Sequence, residues 1–329
     1  MKIGKFDHPS QVVLAPMAGV TDRPYRDLCR DLGTVWAISE MLTSNQKLWH
    51  TQKSQQRLRF QDECGPRWIQ VAGGDAEMVA AAAQGAEQLG ADIVDINMGC
   101  PAKKVCNKAA GSALLRDPKL VQEIFQAVVA SVTIPVTVKI RLGWSLAEIN
   151  ASEVARIAEG EGIELITVHG RSRACKFAGE VHYDEIAKVV QQVEIPVIAN
   201  GDIRSEWDAR RVLANTGATA VMIGRAAQGR PWLPGQVDHF LKTGKLQKNP
   251  PASEIKRILM THVKGLAEFY GEVMGPRIAR KHVGWYLADP DNERTSELKA
   301  FNKLETLGEQ LRAIEAMFSA EGGGTHEAA

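Results

Sequence analysis

A chain of 329 residues with 44% hydrophobic side chains can bury a large core, and its length suits one big domain and a small one. Forty basic residues offset 39 acidic ones, a net charge of +1, which excludes a strongly basic nucleic-acid binder by bulk charge and confines any polyanion site to a local patch. The five cysteines include no CxxC pair, and no apolar run reaches membrane-spanning length, so the composition predicts a soluble cytoplasmic protein with neither disulfide framework nor membrane contact.

From the amino terminus, short β-branched runs alternate with stretches of helical apolar spacing. Strands are predicted at 12–16 (VVLAP), 35–40 (VWAISE), 67–73 (RWIQVAG), 92–97 (DIVDIN), 135–141 (PVTVKIR), 165–170 (LITVHG), 196–201 (PVIANG) and 220–225 (AVMIGR). Their nearly continuous apolar character suits strands covered on both faces. Helices are predicted at about 76–89, 118–131, 147–159, 183–192 and 205–214, the second opened by an Asp117 cap and Pro118. Eight βα units in some 240 residues match a closed (β/α)8 TIM barrel. A doubly wound sheet would more often stop at five or six strands and carry a glycine fingerprint, and neither GxGxxG nor GxxxxGK[ST] occurs.

Past residue 250 the strands stop. Ile255, Ile258, Leu259, Val263, Leu266 and Phe269 form one helical stripe, and Leu298, Phe301, Leu304, Leu307, Leu311, Ile314 and Phe318 form another. The division expected is a barrel over 1–245, an all-helical domain over 246–320 and a flexible Gly-rich tail over 321–329. Basic residues gather in the helical part at Arg277, Arg280, Lys281 and His282.

A barrel of this kind works at the carboxyl ends of its strands. Those ends offer Pro16, Met17 and Ala18; Glu40; Gln70; Asn97 leading to Cys100; Lys139 and Arg141; His169 and Arg171; Asn200, Gly201 and Asp202; and Gly224 and Arg225. The turns after strands seven and eight sit where barrels commonly hold a phosphate on backbone N–H groups. Lys139 lies in an apolar strand and needs a ligand or a carboxylate partner, with Glu40 or Asp95 as candidates. Cys100, in a Gly-Cys-Pro turn, suits a nucleophile or a general acid. His169 reads either as a core histidine or as a donor to a cofactor ring. HExxH and deaminase zinc patterns are absent, and no metal site is expected.

Six segments in order, APMAGVTDRPYR (15–26), DINMGCPAKKV (95–105), VKIRLGW (138–144), VHGRSR (168–173), IANGDI (198–203) and MIGRAAQGRPW (222–232), resemble the signatures of the tRNA-dihydrouridine synthase family, in the pattern of its bacterial B-type. The likeness extends from about residue 1 to 318. It implies an FMN-dependent oxidoreductase that uses NADPH to reduce the C5–C6 double bond of chosen uridines in the D-loop of tRNA, with no DNA partner. By the same resemblance, Pro16, Met17, Ala18 and Gln70 would hold the flavin ring with Lys139 close by. His169, Asn200, Gly201, Asp202, Gly224 and Arg225 would serve its phosphate, Cys100 would donate the proton to C5, and Asn97 would seat the base. Arg141, Arg171 and Arg173 on the barrel, and Arg277, Arg280 and Lys281 on the helices, are the candidates for contacting the base or tRNA phosphates. The loop RACKFAG (173–179) departs from the pattern at Cys175 and Lys176. The rival readings are an FMN barrel oxidoreductase acting on a small molecule and a tRNA-binding protein without turnover. A monomer is expected.

Overall fold

The computed structural model describes residues 1–33, 35–107, 109–288 and 295–319; the expected tail at 321–329 lies outside them. Two compact units are present. One comprises Met1–Ala227 with Trp232–Lys245, and the other Gln228–Pro231 with the described part of Leu246–Ala329.

The first unit is built on a parallel sheet whose successive staves are Val12–Leu14, the split pair Trp36–Ala37 and Leu42–Thr43, Trp68–Ala72, Ile93–Met98, Val136–Arg141, Leu165–His169, Val197–Asn200 and Ala220–Ile223. The sheet closes on itself. Ala220–Ile223 pairs with Val12–Leu14, which pairs with Trp36–Ala37, and Ile38 bridges to Trp68. The second stave is thus broken: its first half follows the first stave, and Leu42–Thr43 follows the third. All eight predicted strands form, and the fold is the (β/α)8 barrel with an all-helical carboxyl-terminal part.

Polarity graded along the staves places the chemistry. The interior is packed at its amino-terminal end by Val13, Trp36, Trp68, Ile93, Leu165, Ile198 and Ala220, with Trp36 and Trp68 meeting edge to face at 5.5 Å. One and two pleats further on, the same inward faces carry Gln70, Asp95, Asn97, Thr137, Lys139, Arg141, Thr167, His169 and Asn200, all buried. The apolar floor is sealed by a hairpin, Lys2–Ile3 against Phe6–Asp7, whose Ile3 and Phe6 pack into it. Two-residue strands carry no periodicity, and this plug was not predicted.

Helices follow the staves with ordinary signals. Asp75, Asp117 and Ser205 each cap a helix by accepting a backbone N–H. The helix expected from 147 begins only at Ala151. Gly143 pairs with Ile149, and Asn150 donates to the Leu115 carbonyl at 2.7 Å, tying the intervening residues into a loop. Arg23–Asp31, Gln52–Leu58 and Leu233–Thr243 are helices the spacing did not single out.

The second unit is helical. Ala252–Tyr286 is broken at Gly271 (φ 83°, ψ 169°), and Thr295–Phe301 and Leu307–Ser319 follow. Leu259, Val263, Leu266, Ala279, Val283, Phe301 and Ile314 form its core, so the two predicted stripes meet each other. No described helix is long and apolar enough to cross a membrane.

Candidate active site

Register between neighbouring staves assembles the bowl in layers. Gln70 stands beside Asp95 and Asp95 beside Thr137; Asn97 beside Lys139 and Lys139 beside Thr167; Arg141 beside His169 and His169 beside Asn200. Paired residues on parallel strands point to one face, so these polar groups share the barrel mouth.

Cys100 follows the fourth stave in a turn organised by Asn97, whose Oδ1 accepts the backbone N–H of Cys100 at 3.0 Å and of Gly99 at 3.3 Å. The Cys100 carbonyl accepts from the Ser112 N–H and hydroxyl. Burial pushes the half-buried Cys100 thiol up from its ordinary value. At neutral pH it is protonated, the state of a general acid and not of a nucleophile.

Lys139 is 9% exposed. Its Nζ donates at 3.0 Å to Asn200 Oδ1, whose own amide N–H is fixed on the Met222 carbonyl. Neither carboxylate named from the sequence is its ion-pair partner. Glu40 instead accepts from the Gly19 N–H and Arg57, and Asp95 accepts from Gln70 and Thr137. Burial, reinforced by Arg141, lowers Lys139 to about 7, and an ammonium with one neutral partner leaves donor capacity for a ligand.

His169 is buried, with its Nε2 unpartnered. Burial, together with Lys139, Arg141, Arg171 and Arg225, holds it well below the usual histidine range, so the ring is neutral. Beyond it the seventh turn carries Gly201 (φ 132°) and Asp202 (φ 43°). A Cβ at Gly201 would lie 2.8 Å from Val181 Cγ1, so glycine is required there. Asp202 gathers Arg171, Arg204 and Arg225 around one carboxylate, leaving a local surplus of positive charge. At the junction of the last and first staves, the Ala15 N–H donates to the Ile223 carbonyl, and a Cβ at Gly224 would come within 3.7 Å of Met17 Sδ. Pro16 and Met17 are half-buried and Ala18 is exposed.

The arginines divide. Arg171, expected at the base or the tRNA backbone, is 1% exposed and spent inside the protein. It forms a bidentate pair with Asp202 and donates to the Ala178 and Gly179 carbonyls. Arg141 is likewise buried, donating to the carbonyls of Gly99, Ser172 and Lys176 and so joining the Cys100 turn to the loop after the sixth stave. Arg173 is half-buried, stacked 4.3 Å from the Trp144 ring with its buried Nε unpartnered. On the helices, Arg277 and Lys281 are exposed one turn apart, whereas Arg280 donates to the Leu304 carbonyl. His282, counted with that basic stretch, is buried, and burial holds it neutral.

Two residues here stand outside the sequence candidates: Asp95, which reads in the sequence only as a partner for Lys139, and Phe177. Phe177 is 52% exposed and lies 5.3 Å from Arg141, 5.2 Å from Arg225 and 6.5 Å from the His169 ring. A bulky aromatic in a loop after a strand end was the available signal. Among the described residues no cluster of His, Cys, Asp and Glu could hold a metal ion.

The profile of the dihydrouridine synthase family matches residues 13–321. A tRNA-dihydrouridine synthase B of Pseudomonas syringae is 53% identical over 97% of this chain and 94% of its own. Enzymes of the same name from Pseudomonas aeruginosa and Proteus vulgaris are 53% and 52% identical, over 97% of this chain and 96% and 98% of theirs. A solved mandelate oxidase variant, 19% identical over 70% of each chain with a TM-score of 0.48, is too distant to bear on function. Family match, identity and the bowl of strand-end residues agree: the chain belongs to the dihydrouridine synthase family.

Proposed function

We propose that this chain reduces the C5–C6 double bond of uridines in the D-loop of tRNA to 5,6-dihydrouridine, with FMN as cofactor and NADPH as reductant, acting in the cytoplasm as a monomer. The observation that carries the reading is the buried Lys139 ammonium, held by one neutral oxygen of Asn200, in the same bowl as a protonated thiol on a strand-end turn.

The residues suit FMN. The orphaned His169 Nε2 and the three arginines around Asp202 favour an anionic phosphate at the Gly201–Asp202 and Gly224–Arg225 turns. Pro16, Met17, Ala18 and Gln70 would hold the ring, with Lys139 close by. Bound reduced FMN supplies a hydride to C6 of the uracil.

Cys100 then gives its proton to C5. The S–H bond breaks as the new C–H bond forms, and the thiolate is reprotonated from solvent. Its raised pKa keeps that proton in place until it is needed. Asn97 seats the base with the amide N–H not committed elsewhere. Extruding a stacked uridine costs on the order of a few kcal/mol, offset by contacts in the pocket. Phosphates are met by Arg173 on the barrel and by Arg277 and Lys281 on the helices.

The test is NADPH oxidation by the flavin-loaded protein with and without unmodified tRNA. The reading expects oxidation to depend on tRNA. Oxidation that instead depends on a small activated alkene and ignores tRNA would replace it with small-molecule reduction.

A further inference from the structure

Below the Cys100 turn, a hydrogen-bond chain crosses three staves. The Trp68 indole N–H donates to Thr137 Oγ1 at 2.9 Å, and the Thr137 hydroxyl donates to Asp95 Oδ1 at 2.7 Å. From the other side, Gln70 Nε2 donates to Asp95 Oδ2 at 2.7 Å. Asn97 Nδ2 donates to Gln70 Oε1 at 2.7 Å, and Asn97 Oδ1 accepts the Gly99 and Cys100 N–H groups. Trp68, Gln70, Asp95 and Thr137 are at most 1% exposed, and Asn97 is 8% exposed.

From this chain we infer that Asp95 is a positioning residue: it anchors the acceptor end of the links through Gln70 and Asn97, whose other end is the Cys100 turn. The inference rests on the role of Cys100 given above.

The indole, the carboxylate and the backbone N–H groups of the turn have no choice of polarity. An indole N–H only donates, so the Thr137 oxygen accepts it and turns its single proton to Asp95. A carboxylate only accepts, so Gln70 must present Nε2 to Asp95. Its Oε1 then faces Asn97, which must answer with Nδ2. Asn97 Oδ1 is thereby aimed at the turn, where two backbone donors await it. Without the carboxylate, only the Gly99 and Cys100 N–H groups hold Gln70 and Asn97 against inverting together, and an inverted Asn97 would point an amide N–H at those two donors. Burial raises Asp95 to about 6, which leaves it ionised at neutral pH, and Lys139 on the adjoining stave favours that form.

The experiment compares Asp95→Asn with the parent holoenzyme by two readouts: the rate of Cys100 alkylation by iodoacetamide, resolved by peptide mass spectrometry, and single-turnover kinetics. A lost buried link is worth about tenfold in rate. Asp95→Asn should therefore slow tRNA-driven flavin reoxidation by about that factor relative to NADPH-driven flavin reduction, and should change the Cys100 alkylation rate. The control Thr137→Val removes the hydroxyl but keeps the carboxylate that Gln70 answers, so it should retain the parent alkylation rate. An unaltered alkylation rate and reoxidation in folded Asp95→Asn, or an equal change in Thr137→Val, overturns the inference. If Asp95→Asn does not fold, Asp95→Ala removes the same acceptor, and an unchanged Cys100 alkylation rate there overturns it equally. Cys100→Ala, run alongside, separates the two ideas: full dihydrouridine formation in that variant would remove the acid role itself, while the alkylation result would still decide the positioning.

Discussion

Arg171 grips Asp202 with both ends of its guanidinium, Nη1 to Oδ1 at 3.0 Å and Nη2 to Oδ2 at 2.7 Å, across 31 residues of sequence. That pair holds the turn after the seventh stave in its left-handed conformation and draws Arg225 toward it. Arg171→Met leaves the Asp202 carboxylate without its main partner. Since Asp202 keeps some solvent, the expected loss is about 2–3 kcal/mol of stability, below the range for a fully buried pair. FMN affinity should fall with it by at least about tenfold. Flavin fluorescence titration and denaturant melts measure the two; unchanged FMN affinity would detach the ion pair from the cofactor turn.

Lys139 makes the flavin-free protein sensitive to pH in a particular direction. Its folded value of about 7 lies below the ordinary 10.5, so between these the unfolded chain binds more protons and stability rises with pH. Asp95, raised to about 6 from 3.8, acts in the opposite sense: the folded protein holds the extra proton between those values, and stability falls as pH rises through that window. Lys139→Met should flatten the alkaline rise, stabilise the flavin-free protein at pH 7 by about 1 kcal/mol, and weaken FMN binding. Melting temperatures across pH 5–10 check this, and an unchanged alkaline slope would count against a buried ammonium.

Cys100→Ala should leave FMN binding, tRNA binding and flavin reduction by NADPH nearly intact, while slowing tRNA reduction by about a hundredfold or more, as expected for a lost general acid. Because burial pushes the parent thiol up, the parent tRNA step should be flat through neutral pH and decline only in alkali. Stopped-flow reoxidation against pH measures both.

Arg277 and Lys281 are exposed one helical turn apart, and each should neutralise one phosphate. Replacing both by alanine should reduce the slope of log K against log salt for tRNA by about 2, with no change in FMN affinity. Filter binding over a salt series gives the slope. A slope equal to the parent's would place the phosphate contacts elsewhere.

Much of the barrel was legible because each stave is covered on both faces, and Ile93–Met98, buried at every position, therefore reads as an uninterrupted apolar run. The broken second stave and the Lys2–Asp7 plug were not legible, since two-residue strands depend on tertiary pairing alone. In the site, strand-end position was enough to bring Lys139, His169 and Asn200 to one mouth of the barrel. The burial of Arg171, which reads as a loop arginine, was not legible, because the carboxylate that pairs with it arrives from the next stave. Asp95 was visible only as a counter-charge, because its role depends on a register that puts Gln70 and Thr137 at its two sides, and no local pattern encodes that register.

The central claim is that this bowl reduces tRNA uridines with Cys100 as the acid. Mass-spectrometric mapping of unmodified tRNA after incubation with the flavin-loaded protein and NADPH tests it most directly. The account predicts dihydrouridine in the D-loop with the parent protein and almost none with Cys100→Ala. No dihydrouridine from the parent protein, or equal amounts from both, would contradict it.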